Sequence, residues 1–198
     1  MCQKTNATSF KENQYRIRKG TNESLFFIYL KCYNWMGDGT MIKYKDCTKE
    51  IAMSMNSWLS DEKIIKFAMF DSNFVDEYLY YQGNMYDEKI MDALKVIYID
   101  DILIGYAVLN YYTYDGIFEV GINPFIINPS YQNQGYGKRI LSNLMIQIEN
   151  LVGGKVDQIY VTIEKTNLYS IHLFEAVGFI QKGEHESYLR YYYFNHNL

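Results

Sequence analysis

Between Asn128 and Arg139 the chain reads Asn-Pro-Ser-Tyr-Gln-Asn-Gln-Gly-Tyr-Gly-Lys-Arg, residue types that suit the capture of a diphosphate. Gly135 and Gly137 leave no side chain in the way. The backbone N–H groups of Gln132, Asn133, Gln134, Gly135, Tyr136, Gly137 and Lys138 can therefore turn toward an anion at a helix N-terminus. Lys138 or Arg139 can add positive charge to that grip. The spacing Gln132-x-x-Gly135-x-Gly137 is loose by itself, and its context gives it weight. A strand must deliver the loop, a helix must leave it, and a second strand must return close by.

Those elements are legible. Ile117 to Ile127 reads as the delivering strand, and Ile140, Leu141, Leu144, Met145, Ile148 and Leu151 recur on one face of a helix. Gly153-Gly154 can end that helix in the left-handed conformation. From Gln158 to Ile163, Ile159, Val161 and Ile163 alternate with Tyr160 and Thr162, the period of a strand. A strand reached through a helix should run parallel to the one before it. Pro124 removes a ladder donor from the delivering strand and points to a bulge.

The loop, together with Asn167, Ser170 and the later run Leu173-Phe174-Glu175-Ala176-Val177-Gly178-Phe179, resembles the GNAT family of N-acetyltransferases. Two motifs agree in order and spacing, over about Leu94 to Phe179. The resemblance implies an α/β fold of the α+β kind: a mixed, mostly antiparallel sheet flanked by helices, with a central parallel pair that splays apart. It implies acetyl-CoA as cofactor, its pantetheine arm bonding along Phe125, Ile126 and Ile127 and its pyrophosphate on the loop. It further implies that a backbone N–H freed by the bulge helps hold the oxyanion of the reaction. Glu119 is the implied catalytic base, with water held by Asn123, or by Tyr112 and Tyr114, as the alternative. Asn167 caps its helix, bonds the cofactor, or does both. One departure matters. Where many family members carry the tyrosine that protonates the leaving thiolate, this chain has Phe174. Either another tyrosine substitutes, or the thiolate leaves unprotonated, or catalysis has been lost; Tyr169, five residues back on the helix, should point away from Phe174.

The implied activity is direct acetyl transfer to a primary amine of a small molecule such as a polyamine, an aminoglycoside or an amino-acid derivative. A protein lysine or N-terminal amine is the rival within the class. A non-catalytic acyl-CoA-binding module is the rival outside it. The net charge of −4 disfavours a nucleic-acid binder. Acidic residues Asp71, Asp76, Glu77, Asp87 and Glu88, in the region that varies most across the family, either attract an ammonium group or sit at helix starts and on a solvated face. The 21 tyrosines either line an amine pocket or pack the elements.

A chain of 198 residues reads as one domain, with residues 1–39 as an N-terminal extension that covers the sheet or makes a homodimer contact. The three cysteines, Cys2, Cys32 and Cys47, are scattered, and His172, His185 and His196 lack metal spacing. A reducing cytoplasm fits, and no apolar run is long enough to span a bilayer. Tyr15 to Arg18 or Met41 to Lys45 is the first strand of the fold, the second being preferred, and Ser24 to Asn34 with Thr40 to Lys45 suggests a hairpin about Gly37-Asp38-Gly39. Thr48 should cap a helix reaching Trp58. Ser60-Asp61-Glu62 should start one with Ile64, Ile65, Ala68 and Met69 buried, and Asn73 should cap one with Phe74, Val75, Tyr78 and Leu79 at helical spacing. Leu94 to Ile99 and Ile102 to Tyr112 form the clearest hairpin. Asp115-Gly116 then turns into the delivering strand, and Tyr188 to Phe194 ends a last strand pair.

Overall fold

The computed structural model describes residues 34–35, 40–68, 73–83 and 90–194. Positions 1–33, 36–39, 69, 71, 87, 88 and 196 of the expectations above lie outside them. The chain divides into two compact units, Met1–Met41 and Ile42–Leu198. Asn34–Trp35 is a two-residue strand in the first.

The second unit is built on strands β1 (Met41–Asp46), β2 (Ile90–Ile99), β3 (Ile102–Tyr114), β4 (Ile117–Ile127), β5 (Gln158–Glu164), β6 (Ile180–His185) and β7 (Tyr188–Phe194). They lie in the order β1-β2-β3-β4-β5-β7-β6. All neighbours are antiparallel except β4 and β5. The turn from β2 to β3 uses Asp100 and Asp101 with φ of 48° and 68°, a pair that suits the twist of a two-residue hairpin.

Helices α1 (Lys49–Met55), α2 (Glu62–Ala68) and α3 (Phe74–Gly83) cover one face. There Ala52, Met55, Trp58, Ile64, Ala68 and Phe74 pack on Leu94, Val96, Tyr106, Val108 and Ile126. Helices α4 (Tyr136–Val152) and α5 (Leu168–Glu175) cover the other face, with Leu141, Leu144, Ile148, Ile171 and Phe174 against Leu109, Val120, Ile122, Val161 and Ile163. The caps are those the sequence asks for. Thr48 accepts from the Ile51 N–H, and Asn73 Oδ1 accepts from the Val75 and Asp76 N–H groups. Gly153 closes α4 at φ 75°.

Two expectations about α-helical faces fail. Ile65 is 51% exposed and Leu79 50%. On a helix as short as α2, the Ile64 and Ala68 pair, four residues apart, owns the buried stripe, and Ile65 lies about 100° round from Ile64, at the stripe's edge. Leu79 stands five residues past Phe74, whose ring takes the contact by packing edge-on against Trp58 and Tyr106 at 5.7 and 5.5 Å. The helix after Thr48 also stops early. Residues Asn56–Ser60 tighten into a 3₁₀ turn, and Asn56 Oδ1 accepts from the Phe74 N–H, joining that turn to α3.

Candidate active site

β4 and β5 begin as paired neighbours and end apart. Glu119, Val120 and Gly121 face Gln158, Ile159 and Tyr160 in register, and no further pair follows although β4 runs on to Ile127 and β5 to Glu164. The other edge of β4 explains how it peels away. Ala107 of β3 faces Phe125 while Leu109 faces Ile122, so β4 carries one extra residue, at Asn123-Pro124. Such a bulge bends its strand and increases its twist. Beyond it the facing edges of β4 and β5 have no partner strand among the described residues, and backbone polar groups left in this way need a partner.

The opening is a cleft of about 370 Å³. Ile122 to Ile127 form one side, Val161 to Glu164 the other, Lys63 and Phe67 of α2 and Asn167, Ser170 and Phe174 of α5 close it, and Tyr188 reaches it from β7. At its end lies the glycine loop, from which Gln132, Asn133, Gly135, Gly137 and Lys138 contribute. Gly135 has φ 82°, which a side chain strongly disfavours, and it stands immediately before α4. Gln132 Nε2 donates to the Ile127 carbonyl at 2.9 Å, and Gln134 Nε2 to the Ser130 carbonyl at 3.0 Å. The first ties the loop back to the strand that delivers it, and the second closes the loop on itself. Gln134 and Tyr136 are not among the lining residues; Tyr136 packs edge-on against Tyr131 at 5.9 Å. Asn167 both caps α5, its Oδ1 accepting from the Ser170 N–H at 3.2 Å, and lines the cleft.

Glu119 sits elsewhere, on the closed side of the split. It is 8% exposed and does not line the cleft. It accepts from the Tyr112 hydroxyl at 2.5 Å and from the Gln158 side chain, and Arg190 Nη2 stands 3.8 Å from its Oε2. The Arg190 guanidinium lies over the Tyr160 ring, 4.2 Å from its centroid, and 5.3 Å from that of Tyr192. Tyr160 in turn covers Gly121, the last paired residue of β4: a Cβ there would meet the ring at 2.6 Å. Burial, then donation to Glu119, pushes the Tyr112 hydroxyl above the ordinary tyrosine range. Burial raises Tyr160 too, with Tyr112 and the Arg190 charge opposing it.

A sequence profile described as "Acetyltransferase (GNAT) family" matches residues 52–179. The chain belongs to the GNAT acetyltransferase family. It is 30% identical over 92 residues to the spermine/spermidine N(1)-acetyltransferase of Bacillus subtilis strain 168, an overlap of 44% of this chain and 59% of that protein. The chain thus spans less than two thirds of the curated relatives it matches. Among solved structures, the spermidine N-acetyltransferase of Vibrio cholerae, crystallised with CoA and spermine, is similar with a TM-score of 0.62 at 17% identity, over 77% of this chain and 95% of that one. The aminoglycoside acetyltransferase AAC(6')-Ib with coenzyme A gives 0.61 at 17% identity, over 78% and 95%. At these identities the structural likeness is one of fold, the mixed sheet with helices on both faces.

In this GNAT chain, Phe174 is 2% exposed and packs edge-on against Phe125 and Phe179, at 6.1 and 5.0 Å. Tyr169, expected to point away from it, lines the same cleft with Lys63 Nζ 5.0 Å from its ring centroid. Both residues line the cleft, Tyr169 exposed and Phe174 buried. Lys63, Phe67, Thr162, Glu164 and Tyr188 are among the lining residues that sequence reasoning did not assign to the site. Lys63, Ile64, Phe67 and Ala68 make one helical stripe, of which only Ile64 and Ala68 drew notice. Tyr188 had no local signal, because register alone brings it beside Glu164. Among the described residues no group of three or more His, Cys, Asp or Glu could hold a metal ion, and no helix is long and apolar enough to cross a membrane.

Proposed function

We propose that the protein transfers the acetyl group of acetyl-CoA to the primary amine of a small molecule. The observation that carries this is the split itself: two parallel strands released from one another beside a glycine loop, within a member of the acetyltransferase family. The fit to the cofactor rests on the donor set. The edges of Phe125, Ile126 and Ile127 offer a strand-like partner to pantetheine amides, and the N–H groups from Gln132 to Lys138 converge at the start of α4 to meet a pyrophosphate. Asn167 adds an amide on the opposite wall. When bound, the thioester supplies an acyl carbon already activated for attack.

The chain's own residues do the rest. The face bearing α4 and α5 is filled by Val120, Ile122, Val161 and their helix partners, so the acceptor approaches from the face that carries Glu119, Tyr112 and Tyr160. A primary amine is mostly ammonium at neutral pH and must lose a proton before its nitrogen can form the new C–N bond. Glu119 receives that proton through the Tyr112 hydroxyl, which already donates to it. Tyr188, the half-buried tyrosine of the cleft, would give a proton to the thiolate that leaves as the new C–N bond forms, in place of the residue that Phe174 replaces. The polyamine- and aminoglycoside-acetylating relatives support a small amine as acceptor.

Release of free thiol from acetyl-CoA, followed over a panel of polyamines, aminoglycosides and amino acids, tests the reading. Turnover of at least one class is expected. Saturable CoA binding with no turnover of any amine would instead identify an acyl-CoA-binding module, the alternative that Phe174 brings into play.

A further inference from the structure

Across the β5 and β7 pair, Gln158 faces Phe194, Tyr160 faces Tyr192, Thr162 faces Arg190 and Glu164 faces Tyr188. Cross-strand partners project on one side of a sheet. These eight residues therefore form one surface, and Thr162, Glu164 and Tyr188 at its far end line the cleft. Arg190 stands between that end and the apex of the split. Its guanidinium is braced by the rings of Tyr160 and Tyr192, and Tyr160 rests on Gly121 where the strands part. A cation thus overlies the approach an acceptor amine must take.

The arginine is held but not satisfied. Its one ion pair among the described residues, to Glu119, is at 3.8 Å, longer than a hydrogen bond, and Glu119 already accepts from Tyr112 and Gln158. Its Nε is buried and has no hydrogen-bond partner among the described residues. The side chain is 41% exposed, so the remaining N–H groups can be reached from solvent. A planar fork of donors, stacked on aromatic rings and short of acceptors, matches a carboxylate in two parallel hydrogen bonds. A second ammonium group in the same place would instead be repelled.

We infer that Arg190 is a specificity residue that binds a carboxylate on the acceptor, so that the substrate is an amine bearing a carboxylate, an amino acid or its derivative, rather than a polycation. This rests on the acetyl-transfer reading above and narrows it. Tyr160 and Tyr192 set the guanidinium's place, Glu119, 3.8 Å from it, receives the amine's proton through Tyr112, and the carboxylate fixes how the amine enters.

The test uses pairs of amines that differ by the carboxylate alone: lysine with cadaverine, and phenylalanine with phenethylamine. The wild-type protein should favour the carboxylate member of each pair in kcat/KM. Arg190→Gln should lower that preference about 10- to 100-fold, chiefly through KM, as expected for loss of a charge-assisted hydrogen-bond pair. Arg190→Lys, which keeps the charge and loses the fork, should recover only part of it. CoA titration into each variant checks that the fold and the loop survive. A wild-type preference for the decarboxylated amines, or a preference indifferent to Arg190→Gln, overturns the inference and leaves acetyl transfer standing. Failure of every amine to release thiol from a protein that binds CoA removes both.

Discussion

The β4 and β5 strands present two halves with opposite chemistry. In the closed half, Glu119 to Gly121 against Gln158 to Tyr160, backbone groups satisfy one another and the side chains form a polar cluster on the acceptor face. In the open half, from Ile122 and Val161 onward, the backbone edges are unmatched and the lining is largely apolar, with the glycine loop at its end. One residue inserted at Asn123-Pro124 separates them. On the function proposed above, the contrast is a division of labour: the open half would offer main-chain atoms to a long cofactor, and the closed half would keep its side chains for proton transfer and acceptor choice.

That division can be broken from either side. The largest effect should come from Glu119→Gln, which removes the proton acceptor of the closed half and should lower kcat by about 10²- to 10⁴-fold. CoA affinity should stay within a few-fold, and the loss should be greatest near neutral pH. An unchanged pH–rate profile would take Glu119 out of the mechanism. Gly135→Val attacks the open half. A β-branched residue at φ 82° turns the loop amides away, and CoA binding measured by calorimetry should weaken about 100-fold, the worth of one or two charge-assisted hydrogen bonds. Smaller again is Tyr188→Phe, expected to lower kcat about tenfold. Restoration of the rate by Phe174→Tyr in the same chain would show that the two positions share one task, and no loss in Tyr188→Phe would deny Tyr188 its role.

The smallest effect lies away from both halves. Burial pushes the Cys47 thiol up to about 11. The folded state thus keeps a proton that the unfolded chain releases, so its contribution to stability is whole below the unfolded thiol's pKa and fades as pH rises toward 11. Urea unfolding of Cys47→Ala should show a flatter decline over that alkaline window than wild type. An identical decline would mean that other groups set it.

The open half was readable in the sequence and the closed half was not. Gly135, Gly137 and the apolar stripe from Ile140 sit within a few residues of each other, so local spacing suffices to predict a loop, a helix start and an anion site. Pro124 likewise marks the bulge by itself, since a residue without an N–H cannot sit inside a regular ladder. Arg190, Tyr160 and Tyr188 come to one surface only through the register of β5 on β7, which no short window of sequence fixes. Glu119 could be named yet not placed, because its partners Tyr112, Gln158 and Arg190 come from three other strands. The misjudged faces of Ile65 and Leu79 have a related origin: on short helices one strong aromatic or aliphatic contact decides which residues are covered.

The most direct test of the account follows backbone amide resonances while coenzyme A is titrated into the isotopically labelled protein. Amides from Gln132 to Lys138 and from Phe125 to Ile127 should shift and saturate together, while those from Glu119 to Gly121 stay close to their starting positions. Saturation without change in the glycine loop, or no response at all, would contradict the claim that the parted strands and their loop hold the cofactor.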